Sequence, residues 1–142
     1  MNLTERFEAY AAAFEETFAD DDWSRLEPYF TEDTVYDIKG EDPFRARVEG
    51  RAEVLAHLKE SLNGFDRLFD KRELVLRSGP RADGDTVEIL WKATYGKDGA
   101  PDLTIQGSER ASFRGDRIVL LEDVFEPGSA KAVGDYMAAN FG

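Results

Sequence analysis

Three acidic residues, Asp37, Glu109 and Asp123, occupy positions where a carboxyl group could meet apolar surroundings. Glu109 is the clearest case, because it interrupts the apolar face of a strand predicted over residues 103–113. That face reads Leu103, Ile105, Gly107, Glu109, Ala111 and Phe113, whereas the other face is polar. Burying an unpaired carboxylate costs on the order of several kcal/mol, so the group must be paired, hydrated or protonated. We expect Glu109 to face a pocket; a hydrogen bond to a neighbouring tyrosine or tryptophan is the alternative.

The other two acids lie in a short early strand and in the last strand. Asp37 shares a face with Val35 in a strand predicted over residues 35–38, and the alternative is an acid at a loop edge in water. The last strand, predicted over residues 118–126, places Glu122 and Asp123 on opposite faces. One of these two residues must point toward the helices, and that residue would be the second inward carboxylate. For Asp123, a salt bridge with an arginine is the alternative to a pocket role.

Carboxyl groups paired in an apolar pocket could carry out acid–base chemistry. Their pKa values can separate, so that one group stays ionised as a base while the other stays protonated as an acid. Such a pair supports proton abstraction beside a carbonyl, followed by aldol closure, double-bond migration or dehydration. Gly107 lacks a side chain and leaves room beside Glu109 for a ligand or a bend. Trp91 and Tyr95 share the apolar face of the preceding strand and belong in the core or the pocket wall.

Other kinds of chemistry find little support. Cysteine is absent, which excludes disulfides, thiolate zinc sites and cysteine nucleophiles. The acidic run of residues 20–22 is expected to start a helix, since calcium needs ligands at alternating positions over a longer loop. The lone histidine, His57, lies about 115° to 145° from the centre of its helix's apolar stripe, so we expect it on a solvated flank. The sequence therefore predicts no metal and no cofactor.

The spacing of apolar residues predicts helices in the first half of the chain and strands in the second. Helical spacing covers residues 3–18, 23–30, 51–63 and, at the far end, 129–141. Residues 39–49 contain glycine and proline without a sustained period and are expected to form a loop. After residue 64 the period changes to 2, which indicates long antiparallel strands. This order predicts an α+β fold, with helices packed on one face of a curved sheet.

Composition and charge limit the range of partners. The chain has 142 residues, of which 42% are hydrophobic and 12% aromatic, enough for one substantial core. Its net charge of −12 has the wrong sign for nucleic acid or an anionic membrane surface, so neither partner is expected. There is no long apolar run, and the first residues do not form a signal peptide. We expect a single cytoplasmic domain over residues 1–142.

The sheet is predicted to contact a second copy of the chain. Both faces of the last strand are largely apolar, as in a strand that is covered on both sides. The helices can cover only one of these faces. A second copy is the simplest cover for the other, so a homodimer through the outer sheet face is expected.

Residues 23–37, with the sequence WSRLEPYFTEDTVYD, resemble the start of nuclear transport factor 2-like domains. The similarity is closest to the SnoaL-like and ketosteroid-isomerase-like branch. Residues 50–54 resemble the beginning of that family's third helix, and residues 115–119 its final hairpin. The resemblance covers residues 3–127 and implies a cone-shaped α+β fold that encloses an apolar pocket, often in a dimer. Residues 128–142 would form a helical extension beyond the usual end of the family.

The resemblance also implies roles for particular residues. Asp37 matches the general base of ketosteroid isomerases, and Glu109 matches their oxyanion-side acid. Asp123 resembles the catalytic aspartate of SnoaL-type polyketide cyclases, whose assisting histidine has no counterpart. The helix-1 tyrosine of the isomerases is not matched, and Tyr10, one turn earlier, is a candidate substitute.

Three classes of function follow from these observations. The first is cofactor-free acid–base catalysis of isomerase, cyclase or dehydratase type, with Asp37 or Asp123 as base and Glu109 as acid. The second is a non-catalytic binding or accessory module for a small apolar molecule, and the third is a structural dimer with a filled core. The residues expected to line a ligand pocket are Tyr10, Phe14, Tyr36, Trp91 and Tyr95.

Overall fold

The computed structural model describes residues 2–141 as a six-stranded sheet with helices packed against it. The α-helices are α1 Leu3–Asp20, α2 Arg51–Gly64 and α3 Ser129–Asn140, and 3-10 helices cover Trp23–Tyr29 and Asp66–Leu68. The strands are β1 Phe30–Lys39, β2 Ala46–Glu49, β3 Lys71–Asp83, β4 Thr86–Gly96, β5 Leu103–Arg114 and β6 Arg117–Phe125. Met1 and Gly142, the ends of the predicted domain, lie outside the described residues.

The sheet is curved, open and mixed. Its strand order is β2-β1-β6-β5-β4-β3, in which β1 and β6 run parallel and every other neighbouring pair is antiparallel. The predicted α+β class and the cone-shaped arrangement are thereby confirmed. The parallel pairing matters for the site, because it brings an early strand beside the last strand of the chain.

The helices form where apolar side chains can face the sheet. A capping box between Asn2 and Glu5 starts α1, and Phe7 and Tyr10 lie on its buried side. Helix α2 buries its stripe of Val54, Leu55, Leu58 and Leu62. Among the helices of residues 2–141, none combines the length and hydropathy that crossing a membrane requires.

Two segments differ from the sequence prediction. The second predicted helix is a 3-10 helix with Pro28 inside it, because proline has no backbone N–H to donate to a longer helical ladder. The predicted loop over residues 39–49 contains the short strand β2, which pairs antiparallel with β1. Four partly exposed residues carry too weak an alternation to reveal such a strand from sequence.

Helix α3 extends the core beyond β6. Its Val133 and Tyr136 pack in a cluster with Tyr95, Leu103 and other buried residues of β4 and β5. The Tyr136 hydroxyl donates to the Pro101 carbonyl oxygen at 2.5 Å. The C-terminal helix predicted from sequence therefore packs on the sheet.

Gly107 marks a close approach between β5, β6 and a tryptophan ring. A Cβ atom at this position would lie 2.2 Å from the Val124 carbonyl oxygen and 2.7 Å from the Trp91 ring. The expectation that Gly107 leaves room for a ligand is therefore wrong, because the Trp91 ring occupies that space. The glycine instead lets an aromatic ring lie directly against the strand that carries Glu109.

Replacing Gly107 by alanine is expected to destabilise the fold by about 1–3 kcal/mol, since backbone must move to relieve the overlap. Urea unfolding monitored by circular dichroism measures this as a lower transition midpoint. Gly64→Ala is the matched control, because a Cβ there has nothing within 4 Å. Equal midpoints for Gly107→Ala and the wild type would contradict the close approach.

Candidate functional site

The inner face of the sheet and the helices enclose a cavity of about 730 Å³. This volume lies in the usual range for sites that hold small organic molecules. Side chains from α1, α2 and all six strands form its mostly apolar wall. The five pocket residues predicted from sequence all lie on that wall: Tyr10, Phe14, Tyr36, Trp91 and Tyr95.

Glu109 and Asp123 lie side by side on the cavity wall. They are directly opposite each other in the antiparallel pairing of β5 with β6, where facing side chains are close neighbours. Asp123 is buried, and its Oδ2 accepts a hydrogen bond from the Tyr36 hydroxyl of β1. Its Oδ1 is buried without a hydrogen-bond partner among the described residues. The structure thus brings two of the three predicted acids together.

The pair of Glu109 and Asp123 is expected to keep one proton at a pH where two exposed carboxyl groups would both be ionised. Burial raises the pKa of Glu109 well above its usual range, and the negative charge of Asp123 raises it further. Burial also raises the pKa of Asp123, but the neighbouring Glu109 carboxyl group and the hydrogen bond from Tyr36 act in the opposite direction. Glu109 is therefore the protonated member of the pair.

Tyr10 and Tyr36 surround the pair with further neutral donors. Burial raises the pKa of both hydroxyls, and the negative charge of the neighbouring acid pair raises them further. Both tyrosines therefore stay protonated around neutral pH. Tyr10 approaches from α1, so the pair has phenol groups on the helix side as well as on the sheet side.

Asp37 lies outside the cavity. Its neighbours Tyr36 and Ile38 line the hollow, and successive side chains of a strand point to opposite faces. Asp37 instead pairs with Arg47 at 3.6 Å on the outer face of the sheet. It does share a face with Val35, as predicted, but that face is not the inner one. The structure gives Asp37 no contact with the other two acids.

The surroundings of His57 also differ from the sequence prediction. The sequence predicts a solvated flank, yet the side chain is half-buried and lines the cavity. Its ring lies edge-on to the Tyr36 ring, with centroids 5.8 Å apart. His57 does lie to one side of the apolar stripe of α2, as the sequence predicts. That side of the helix borders the cavity and not open solvent, which helix periodicity alone cannot reveal.

A second polar cluster, also missed from sequence, lies on another part of the cavity wall. Arg72 of β3 pairs with Glu15 of α1 at 2.7 Å and with Asp66 at 2.8 Å. The Tyr95 hydroxyl donates to the same Asp66 at 3.2 Å. These groups satisfy one another and tie α1 to the edge of the sheet. Among residues 2–141, no three His, Asp or Glu side chains are grouped to hold a metal ion.

The open cone of sheet and helices is the fold of the nuclear transport factor 2-like proteins. Within that class, residues 10–121 match the family model of the SnoaL-like domain. The chain belongs to the SnoaL-like family. No curated protein sequence matches it.

Several solved structures share this fold at low sequence identity. Bal32a, from a soil-derived mobile gene cassette, has a TM-score of 0.70 at 16% identity, covering 95% of this chain and 98% of its own. An NTF2-like protein from Burkholderia xenovorans has a TM-score of 0.63 at 16% identity, with coverages of 94% and 97%. An LEH-like epoxide hydrolase from M. tuberculosis has a TM-score of 0.63 at 17% identity, with coverages of 96% and 95%. At such identities the similarity shows the fold.

The raised pKa of Glu109 predicts a specific pH dependence of stability. Between the ordinary pKa of a glutamate and the raised one, the native state binds more protons than the unfolded chain. The free energy of unfolding of the wild type should therefore fall as pH rises through that interval. Glu109→Gln removes this titration, so the variant should gain stability relative to the wild type as pH rises.

Urea midpoints measured from about pH 5 to pH 8 test this linkage. Glu60→Gln is the matched control, because it removes the same charge from an exposed position on α2. The control should follow the wild type across the range. Parallel pH profiles for Glu109→Gln and the wild type would show that Glu109 is not held protonated.

Proposed function

We propose that the cavity binds a small, neutral, mostly apolar molecule and that Glu109 donates its proton or a hydrogen bond to an oxygen of that molecule. The reaction class is cofactor-free acid–base catalysis of isomerase, cyclase or dehydratase type. The observation that carries this proposal is the buried pair of Glu109 and Asp123 on the wall of an apolar cavity, where burial raises the pKa of Glu109. A carboxylic acid kept neutral at neutral pH can stabilise a developing oxyanion.

The charges on the cavity wall favour a neutral ligand. Asp123, Glu15 and Asp66 contribute carboxylates, whereas Arg72 is already bound by two of them. A ligand anion would be repelled by the remaining negative charge and would have to break the ion pairs of Arg72. An apolar body instead fits against Trp91 and the other aromatic side chains.

Asp123 acts by holding the proton on Glu109. Its Oδ2 accepts from Tyr36, its Oδ1 has no hydrogen-bond partner among the described residues, and Glu109 lies opposite it in the pairing of β5 with β6. We therefore assign Asp123 the part of the anion that stabilises the proton on Glu109. Burial and the negative charge of Asp123 together keep Glu109 a donor, so the two acids act as one unit. Asp37 has no part in this proposal, because it lies on the outer face.

A binding module without catalysis is the second candidate, and the size of the cavity is the observation that favours it. About 730 Å³ suffices for a ligand whether or not chemistry follows. Fold alone gives no activity to this chain, so the two candidates are separated by rate measurements.

We propose further that two copies of the chain pair through the outer face of the sheet. Leu120 and Val124 of β6 lie on that face, because the alternating residues Leu121, Asp123 and Phe125 line the cavity. Val124 is 36% exposed in the single chain. Pairing would remove this apolar surface from water. The cytoplasmic location expected from the sequence stays a prediction.

The proposed chemistry predicts that the protein accelerates hydrogen exchange next to a ketone. The probe is 2-tetralone, a neutral bicyclic ketone, and its conversion in deuterated buffer is followed by proton NMR. Glu109→Ala should lower the enzymatic exchange rate by roughly 10²–10³-fold, the usual loss when an oxyanion donor is removed. Asp123→Asn should also lower it, because the charge that keeps the proton on Glu109 is lost.

Asp37→Asn is the matched control and should exchange the probe at the wild-type rate, since Asp37 pairs with Arg47 on the outer face. Binding of 2-tetralone without acceleration over buffer would favour the binding module. Loss of activity in Asp37→Asn, with activity kept in Glu109→Ala, would contradict the assignment of the acid.

The proposed dimer is tested by light scattering coupled to gel filtration. The wild type should elute with twice the mass of one chain. Leu120→Lys places a charge on the outer face and should shift the mass toward that of one chain, with an unchanged circular dichroism spectrum. A monomeric wild type at micromolar concentration would contradict the proposed interface.

A further inference from the structure

His57 is a cavity residue with no partner of its own. Its ring lines the hollow beside Tyr36, and in the described part of the chain it takes part in no hydrogen bond or salt bridge. It belongs to no group of His, Asp or Glu side chains that could hold a metal ion, among residues 2–141. A half-buried imidazole in such a place has a free nitrogen for whatever fills the cavity.

The acids of the cavity leave one chemical role unfilled. Proton abstraction next to a carbonyl needs an acid for the oxygen and a base for the carbon-bound proton. Glu109 supplies the acid, and Asp123, whose Oδ2 accepts from Tyr36, is the buried anion that helps to keep the proton on Glu109. Arg72 is bound to Glu15 and Asp66 and cannot accept a proton. The tyrosine hydroxyls are held protonated by burial.

We propose that His57 is the base that faces the bound molecule. This inference rests on the proposed function and completes it: Glu109 contacts the carbonyl oxygen while the imidazole of His57 contacts the neighbouring carbon-bound hydrogen. Neutral imidazole carries one acceptor nitrogen, and histidine is the side chain that gains and loses protons most readily near neutral pH.

The proton balance of the step is complete within the cavity. The C–H bond next to the carbonyl breaks, its proton passes to a nitrogen of His57, and its electron pair forms the enol with the oxygen, which Glu109 hydrogen-bonds or protonates. If the imidazolium first exchanges its proton with the solvent, return to the same carbon gives hydrogen exchange. Return of the proton to a conjugated position gives double-bond migration. Glu109 recovers its proton from the enol, so no co-reactant is consumed.

The environment of His57 supports such a cycle. Tyr36 packs against the ring from β1, and through its hydroxyl it connects to Asp123 of β6 and so to Glu109 of β5. The imidazole and the acid pair therefore lie on one connected part of the cavity wall, with Tyr36 between them.

Exchange of 2-tetralone hydrogens in deuterated buffer tests the inference in two matched variants. His57→Gln keeps polarity, and His57→Phe keeps the ring that packs on Tyr36. The base role predicts that both lose roughly 10²-fold or more in rate. A merely structural role predicts that His57→Phe stays near the wild-type rate. A third variant, His57→Ala, should regain exchange on addition of imidazole to the buffer, which a packing defect would not.

The outcomes separate the inference from the proposed function. A wild type that accelerates exchange, with His57 variants that do not, supports both. Acceleration that survives in His57→Gln and His57→Phe overturns the role of His57 and leaves that of Glu109 in place. A wild type no faster than buffer overturns both. Binding is followed independently through the lone imidazole, whose nitrogen NMR signals should shift when 2-tetralone is added; unmoved signals during binding would also overturn the inference.

Discussion

The site depends on one constraint: two carboxyl groups are held next to each other, away from water, and can carry only one negative charge between them. The pairing of β5 with β6 places Glu109 opposite Asp123. The cost of burying a second charge keeps the proton on Glu109. The parallel neighbour β1 supplies Tyr36, which stabilises the charge that remains. The order of the strands in the sheet is therefore what places Glu109 where its carboxyl group stays protonated.

The surroundings of the pair preserve this constraint. Trp91 lies opposite Gly107 in the pairing of β4 with β5, one inner position from Glu109. Because Gly107 has no Cβ, the tryptophan ring lies against the strand, and it also packs edge-on against Phe125. These rings and the helices lower the local polarity, which strengthens every electrostatic interaction of the pair. A glycine that seemed to make room for a ligand thus helps to keep water from the acid.

Sequence reasoning predicted the fold and the inward acids because both follow from long periodic segments. The alternation of residues 103–113 is clear around Glu109, so its inward face could be read from the sequence. In β6 both faces are apolar, so the sequence left Glu122 and Asp123 as alternatives, and it is Asp123 that lines the cavity. Asp37 lay in a strand predicted at only four residues, where Val35 on one face and Tyr36 with Ile38 on the other gave no clear inner side. The environment of His57 was predicted wrongly because the periodicity of α2 shows which way a side chain points but not whether solvent or a cavity lies on that side. The ion pairs of Arg72 join α1, β3 and a 3-10 helix, and such contacts depend on tertiary structure.

The protonation state of Glu109 at neutral pH is the central claim, and carbon NMR of the side-chain carboxyl groups measures it most directly. In protein labelled at the glutamate carboxyl carbons, the signal absent from Glu109→Gln identifies this residue. The account predicts that this signal keeps the position of a protonated acid at neutral pH and moves only at higher pH. A Glu109 signal that titrates together with the exposed glutamates would contradict it, because the two acids would then not share a proton.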